Sequence, residues 1–200
     1  MIAAILATVV GAIAIGSMVD SSNQSDDELL PMDDTPDEPD APVPPEFPLG
    51  TAGEDQISVE DGGSFDALGG DDTLDVGDNA SVRGGSGNDS IKADDGGRSY
   101  GGDGDDTISG GDEATIYGEA GNDRLSGFSR SELSGGEGDD TIRGDESLLY
   151  GGAGNDVLSI SSGRASGGDG NDTLFGADGS RLSGGAGDDV LTSAPADGGT

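Results

Sequence analysis

Nine times between Gly50 and Thr192 the chain returns to the same nine-residue unit. The units read GTAGEDQIS (50–58), ALGGDDTLD (67–75), GGSGNDSIK (84–92), GGDGDDTIS (101–109) and GEAGNDRLS (118–126). They continue as GGEGDDTIR (135–143), GGAGNDVLS (151–159), GGDGNDTLF (167–175) and GGAGDDVLT (184–192). The sixth position is always Asp: Asp55, Asp72, Asp89, Asp106, Asp123, Asp140, Asp156, Asp172 and Asp189, at intervals of 17, 17, 17, 17, 17, 16, 16 and 17 residues. The fourth is always Gly, and the eighth is always aliphatic: Ile57, Leu74, Ile91, Ile108, Leu125, Ile142, Leu158, Leu174 and Leu191. A unit this short cannot bury a face by itself, so only stacking on its own copies can give the chain a core.

A weaker column falls midway between the motifs, at Phe65, Val82, Ser99, Ile116, Leu133, Leu149, Ala165 and Leu182. Each coil is therefore expected to hold two short strands, each sending one side chain inward, joined by two turns. Stacked at about 4.8 Å, such coils form two parallel sheets with an aliphatic ladder between them. This predicts an all-β parallel solenoid of about nine coils over residues 50–192.

The turn before the aliphatic column is glycine-rich and carries the fixed carboxylate. Glycine admits positive φ and brings backbone carbonyls close to one point. With no Cys and no His, disulfides, thiolate or imidazole metal sites and Ser-His-Asp or Cys-His nucleophiles are excluded. Oxygen remains, and an oxygen cage between stacked coils suits Ca²⁺ better than Mg²⁺, which gives up its waters reluctantly. Turn propensity alone would admit Asn, Ser or Gly at the sixth position, much as the fifth position alternates Asn with acid. The opposite turn, for example Gly110-Gly111-Asp112-Glu113-Ala114, shows no fixed carboxylate, so a one-sided calcium column is expected. Eight basic residues against 42 acidic ones argue against nucleic acid as a partner.

These units resemble the nonapeptide GGxGxDxUx of the RTX (repeats-in-toxin, hemolysin-type) calcium-binding family. The resemblance implies a right-handed parallel β-roll that folds on entering calcium-rich surroundings. It also implies that Ca²⁺ is held by the motif Asp and by carbonyls of the turn glycines. Carried onto this chain, the ligands are the nine Asp residues above together with Gly85, Gly87, Gly102, Gly104, Gly121, Gly136, Gly138, Gly152, Gly154, Gly168, Gly170, Gly185 and Gly187. They would hold up to about eight ions in one column, one between each pair of coils. The units at 50, 67 and 118 lack the paired leading glycines, and the period is shorter than the family's usual eighteen residues.

Residues 2–18 form an uncharged apolar run that as a helix would reach roughly 26 Å, near the short end of a membrane span. It reads as a membrane anchor or a secretory signal, within a first segment of residues 1–19. Residues 20–49 are acidic and proline-rich and read as a disordered linker, and residues 193–200 as a disordered tail. The expected location is extracellular or at the cell surface. With no separate domain to hold a catalytic site, a non-enzymatic calcium-binding protein is expected. An adhesive or ice-binding solenoid array is the alternative, although the regular Thr row an ice surface wants is absent from the third position. Tyr100, Tyr117 and Tyr150, each just before a motif turn, are expected to be exposed stacking residues.

Overall fold

The computed structural model describes residues 6–9 and 49–193, residue 178 excepted. The motif repeat becomes a two-sheet parallel solenoid. One sheet has ten strands and the other eight, and from Gln56 on the chain alternates between them so that neighbours within a sheet are equivalent strands of successive coils. The aliphatic column runs in register up the ten-stranded sheet, for example Leu125 beside Ile108 and Ile142. The midway column does the same in the other, with Leu133 beside Ile116 and Leu149.

Among the described residues eight coils are complete rather than nine. The ninth motif adds Val190–Ser193 to the ten-stranded sheet only. Leu191 there is 46% exposed, whereas Leu174 one coil earlier is fully covered. At the other end Leu6–Val9 is a strand paired in parallel with Gln56–Val59. The rest of the helix expected over residues 2–18, the linker at 20–48 and the tail beyond 193 lie outside the described residues.

The core is wider than one inward side chain per strand. Strands of the ten-stranded sheet turn a second residue inward two positions after the aliphatic one, giving patterns such as Gln56–Val59 with Ile57 and Val59 buried. That second position is Val59, Val76, Ala93, Gly110, Gly127, Gly144, Ile160 and Gly176 up the stack. Its partner in the facing sheet compensates in volume. A Cβ on Gly110, Gly127, Gly144 or Gly176 would press on Ile116, Leu133, Leu149 or Leu182 respectively, while Ile160 shares its coil with the small Ala165. The exchange holds from the fourth coil on: the first two coils pair Val59 with Phe65 and Val76 with Val82, large with large, and in the third Ala93 and Ser99 are both small, the buried Ser99 hydroxyl having no hydrogen-bond partner.

The two shorter coils lose their residue from the turn opposite the motif. Gly127 pairs with Gly144 at a spacing of seventeen, but Glu132 pairs with Leu148 at sixteen. The motif turn keeps its length throughout. The opposite turn also corrects the expectation that it carries no fixed carboxylate. Asp61, Asp78, Asp95 and Asp112 align there, each backbone N–H from Asp78 onward donating to the Oδ1 of the Asp one coil earlier at 2.9–3.1 Å. From the fifth coil the ladder ends in Ser129.

Two substitutions test this packing by denaturation in saturating Ca²⁺. Leu133→Ala, at a fully covered position, is expected to cost about 2–5 kcal/mol. Ser99→Val removes an unsatisfied hydroxyl and supplies the volume Val82 supplies one coil earlier, and is expected to gain about 1–2 kcal/mol.

Candidate metal centre

From the third motif on, each turn enters from the eight-stranded sheet with a first-position glycine, passes two residues at positive φ, and delivers the sixth-position Asp to the interior; the second motif has Ala67 at the first position, and the first motif has no positive φ at Thr51 or Gly53. The second and fourth positions hold φ of 115° and 122° at Gly85 and Gly87, and 123° and 134° at Gly102 and Gly104. A side chain there would also run into the previous coil, since Cβ atoms on Gly102 and Gly104 would meet the carbonyls of Gly85 and Gly87. Glycine is thus demanded twice, by conformation and by approach. Leu68 and Glu119 occupy the second position with φ of 74° and 82°, and the first motif, with Thr51 there, lacks the positive φ altogether; these are the three motifs that depart from the pattern.

The eight Asp residues from Asp55 to Asp172 are buried, seven of them at 2% exposure or less. Oδ1 of each later Asp accepts from the backbone N–H of the Asp one coil earlier, from Asp55 N–H to Asp72 through Asp172 N–H to Asp189, at 2.7–3.0 Å. Oδ2 is different. In Asp72, Asp89, Asp106, Asp123, Asp140, Asp156 and Asp172 it is buried without any hydrogen-bond partner. Leaving one such oxygen unpaired is costly, and seven in register identify an acceptor surface facing something other than protein donors. The ends stand apart: Asp55 Oδ2 accepts from Thr51 N–H at 2.7 Å, and Asp189 is partly exposed.

The fifth position supplies an internal control. Its backbone N–H donates to the side-chain Oδ1 of the fifth residue one coil earlier at 2.6–3.1 Å, through Asp71, Asn88, Asp105, Asn122, Asp139, Asn155, Asn171 and Asp188. This outer ladder needs only a carbonyl-like acceptor, so Asn serves as well as Asp. The inner ladder uses Oδ1 in the same manner, yet every one of its members is Asp. What Asn could not supply there is the second anionic oxygen.

The orphan oxygens have company. A Cβ on Gly101 would collide with Asp106 Oδ2 and the Gly118 carbonyl together, and Gly84, Gly118, Gly135, Gly151 and Gly167 repeat this arrangement one coil apart. The first-position glycine therefore keeps open the space where a carboxylate oxygen and the next coil's carbonyl meet. Sequence reasoning had singled out the second and fourth glycines and missed the first, although its recurrence in the motif was the available signal. The second- and fourth-position carbonyls do stack toward the next coil, as the collisions at Gly102 and Gly104 show. Among the described residues no three acidic side chains gather into a cluster that could hold a metal by themselves. An ion in this column would rest on carboxylate and carbonyl oxygens jointly. That donor set, hard and without nitrogen or sulfur, fits Ca²⁺.

Burial governs the acidity of the column. Desolvation raises the carboxyls of Asp72, Asp89 and Asp156 from 3.8 to about 6, and those of Asp106 and Asp140 to about 7, against the opposing pull of the backbone N–H each accepts. Asp123 is raised for the same reason.

An all-β solenoid with one oxygen-lined turn column is the architecture of a cation-binding repeat protein. The sequence pattern of the RTX calcium-binding nonapeptide repeat matches residues 77–97, 100–127, 134–164, 148–180 and 162–191, more than half of the chain. The chain belongs to that family. No curated protein and no solved structure matches it.

A pH series on the metal-stripped protein checks the column. Because the folded-state values are raised, the carboxyls favour folding fully below 3.8, and that contribution disappears as pH rises through 6–7. The strand signal of the metal-stripped protein and its midpoint of thermal unfolding should fall as pH rises from 5, until no transition is left at pH 8, a window above the titration of exposed carboxylates. Strand signal or a midpoint that stays flat or rises across it would contradict the burial of these groups.

Proposed function

We propose that this chain is a non-enzymatic calcium-binding module whose roll folds as Ca²⁺ fills the motif-turn column, and that it works outside the cytoplasm. The observation that carries the reading is the row of buried Oδ2 atoms without partners. Ionised and unpaired, these carboxylates oppose folding; with a divalent ion between coils, each gains a counter-charge. The ligands would be the sixth-position Asp residues from Asp72 to Asp172 with carbonyls of the turn glycines, and Asp55 and Asp189 would close the column as weaker ends. Because each ion would join two coils, binding should be cooperative. Apparent affinities of about 10⁻⁴–10⁻³ M, typical of extracellular modules, suit a protein that meets calcium only after export.

The apolar run at residues 2–18 supports that location, as an anchor or an export signal, a role in which Leu6–Val9 would leave the sheet edge that it pairs with in this structure. Among the described residues no helix is long and apolar enough to cross a membrane.

Circular dichroism of the full chain tests the coupling. Strand signal should appear cooperatively on titrating Ca²⁺ and vanish in excess chelator at pH 8; a strand spectrum unchanged by chelator would falsify it. Asp106→Asn retains the Oδ1 acceptor and loses the second anionic oxygen, so the calcium midpoint should rise roughly tenfold. Asp105→Asn, in the outer ladder, should leave it within about twofold.

A further inference from the structure

We propose that the outer face of the eight-stranded sheet carries a binding site for an anionic saccharide, centred on Arg164, Arg181 and Tyr150. Two outward rows meet there. Leu148, Arg164 and Arg181 are in register on successive coils, and beside them run Tyr150, Ser166 and Ser183. The rows line a shallow cavity of 260 Å³, to which the intervening residues Leu149, Ala165 and Leu182 also contribute.

The two arginines are the anomaly. Like charges directly opposite each other on neighbouring strands destabilise a sheet. In a chain with 42 acidic and eight basic residues, two of the eight stand side by side, exposed, with no ion pair or hydrogen bond among the described residues. The acidic residue of their own row, Glu132, is separated from Arg164 by Leu148. A bound anion resolves the repulsion: adjacent guanidinium forks match a carboxylate or sulfate bidentately. The remaining groups indicate what carries that anion. The Tyr150 ring, 44% exposed, offers a flat apolar surface for the C–H face of a pyranose. The Ser166 and Ser183 hydroxyls can donate to and accept from sugar hydroxyls.

An acidic peptide is less well served. An extended peptide gains most by pairing with an open sheet edge, whereas this is a sheet face whose backbone groups are already in ladders. Two arginines are also too few for a polyphosphate chain against a net charge of −34. That charge is screened beyond about 8 Å at physiological salt, so it does not forbid a single local anion. The site shares no residue with the calcium column.

Titration calorimetry on the full chain in saturating Ca²⁺ tests the site, with a heparin-derived tetrasaccharide, its desulfated form and octaglutamate as probes. The sulfated sugar should bind, and the desulfated form more weakly. Arg164→Gln with Arg181→Gln should weaken binding about tenfold or more, and Tyr150→Ala several-fold, while Arg143→Ala on the other sheet changes nothing. Circular dichroism at the same calcium concentration verifies that each variant is folded. On the unaltered chain, sugar-induced amide shifts should centre on Tyr150, Ser166 and Ser183, which keeps the test decisive if a variant fails to fold. Equal affinity in the double variant, shifts centred elsewhere, or octaglutamate binding as tightly as the sugar would overturn the proposal.

Discussion

A carboxylate withdrawn from water needs a partner for each of its oxygens, and this roll withdraws seven in a row while satisfying half of their demand. Oδ1 is met by the backbone of the adjacent coil, which fixes where the side chain points. From Asp89 to Asp172, Oδ2 is left close to the carbonyl of the next coil's first glycine. Two acceptors turned toward each other with no hydrogen between them form an arrangement that a cation completes and no protein donor does. The family's calcium chemistry follows from that local geometry.

The rest of the chain accommodates this column. The motif turn holds its length through all eight coils, while the opposite turn loses a residue in two of them without disturbing either sheet's pairing. A turn that only reverses the chain can be shortened. A turn that must superimpose an Asp, two positive-φ residues and a first-position glycine on the coil below cannot. The side-chain ladders run in opposite senses, inner Oδ1 atoms receiving from the coil before and outer ones from the coil after. Each coil is thereby held to both neighbours by side chains as well as by its strands.

Much of this was legible in the sequence because stacking converts linear recurrence into vertical alignment. A column such as Ile57 to Leu191 has one interpretation once its period is known. What escaped has a physical reason in each instance. The second inward position reads Val, Val, Ala, Gly, Gly, Gly, Ile, Gly, which looks like noise until the facing residue is known, since from the fourth coil on a large side chain in one sheet faces a small one in the other. Asp61, Asp78, Asp95 and Asp112 escaped because their ladder ends at Ser129, before the shortened coils alter the spacing. The role of the first glycine was hidden because glycine usually signals backbone conformation, and here it is the missing Cβ that matters. The eight complete coils fall short of nine motifs because a motif contributes only the first strand of its coil. The clearest clue lay in plain view: Asn is admitted at the fifth position and never at the sixth.

The volume exchange between facing positions has a consequence for how such an array can lengthen. Ladder contacts join like with like between coils, so any coil can follow any other; core contacts in the fourth to eighth coils match large with small inside one coil, so the halves of those coils are not interchangeable. Duplicating or deleting a whole turn of the spiral preserves both kinds of contact. A crossover that joins the first half of the coil containing Ile160 to the second half of the coil containing Leu133 would place two large side chains where one fits. The heritable module is therefore the closed coil, and unequal recombination in phase with it can alter the number of turns without any compensating change elsewhere.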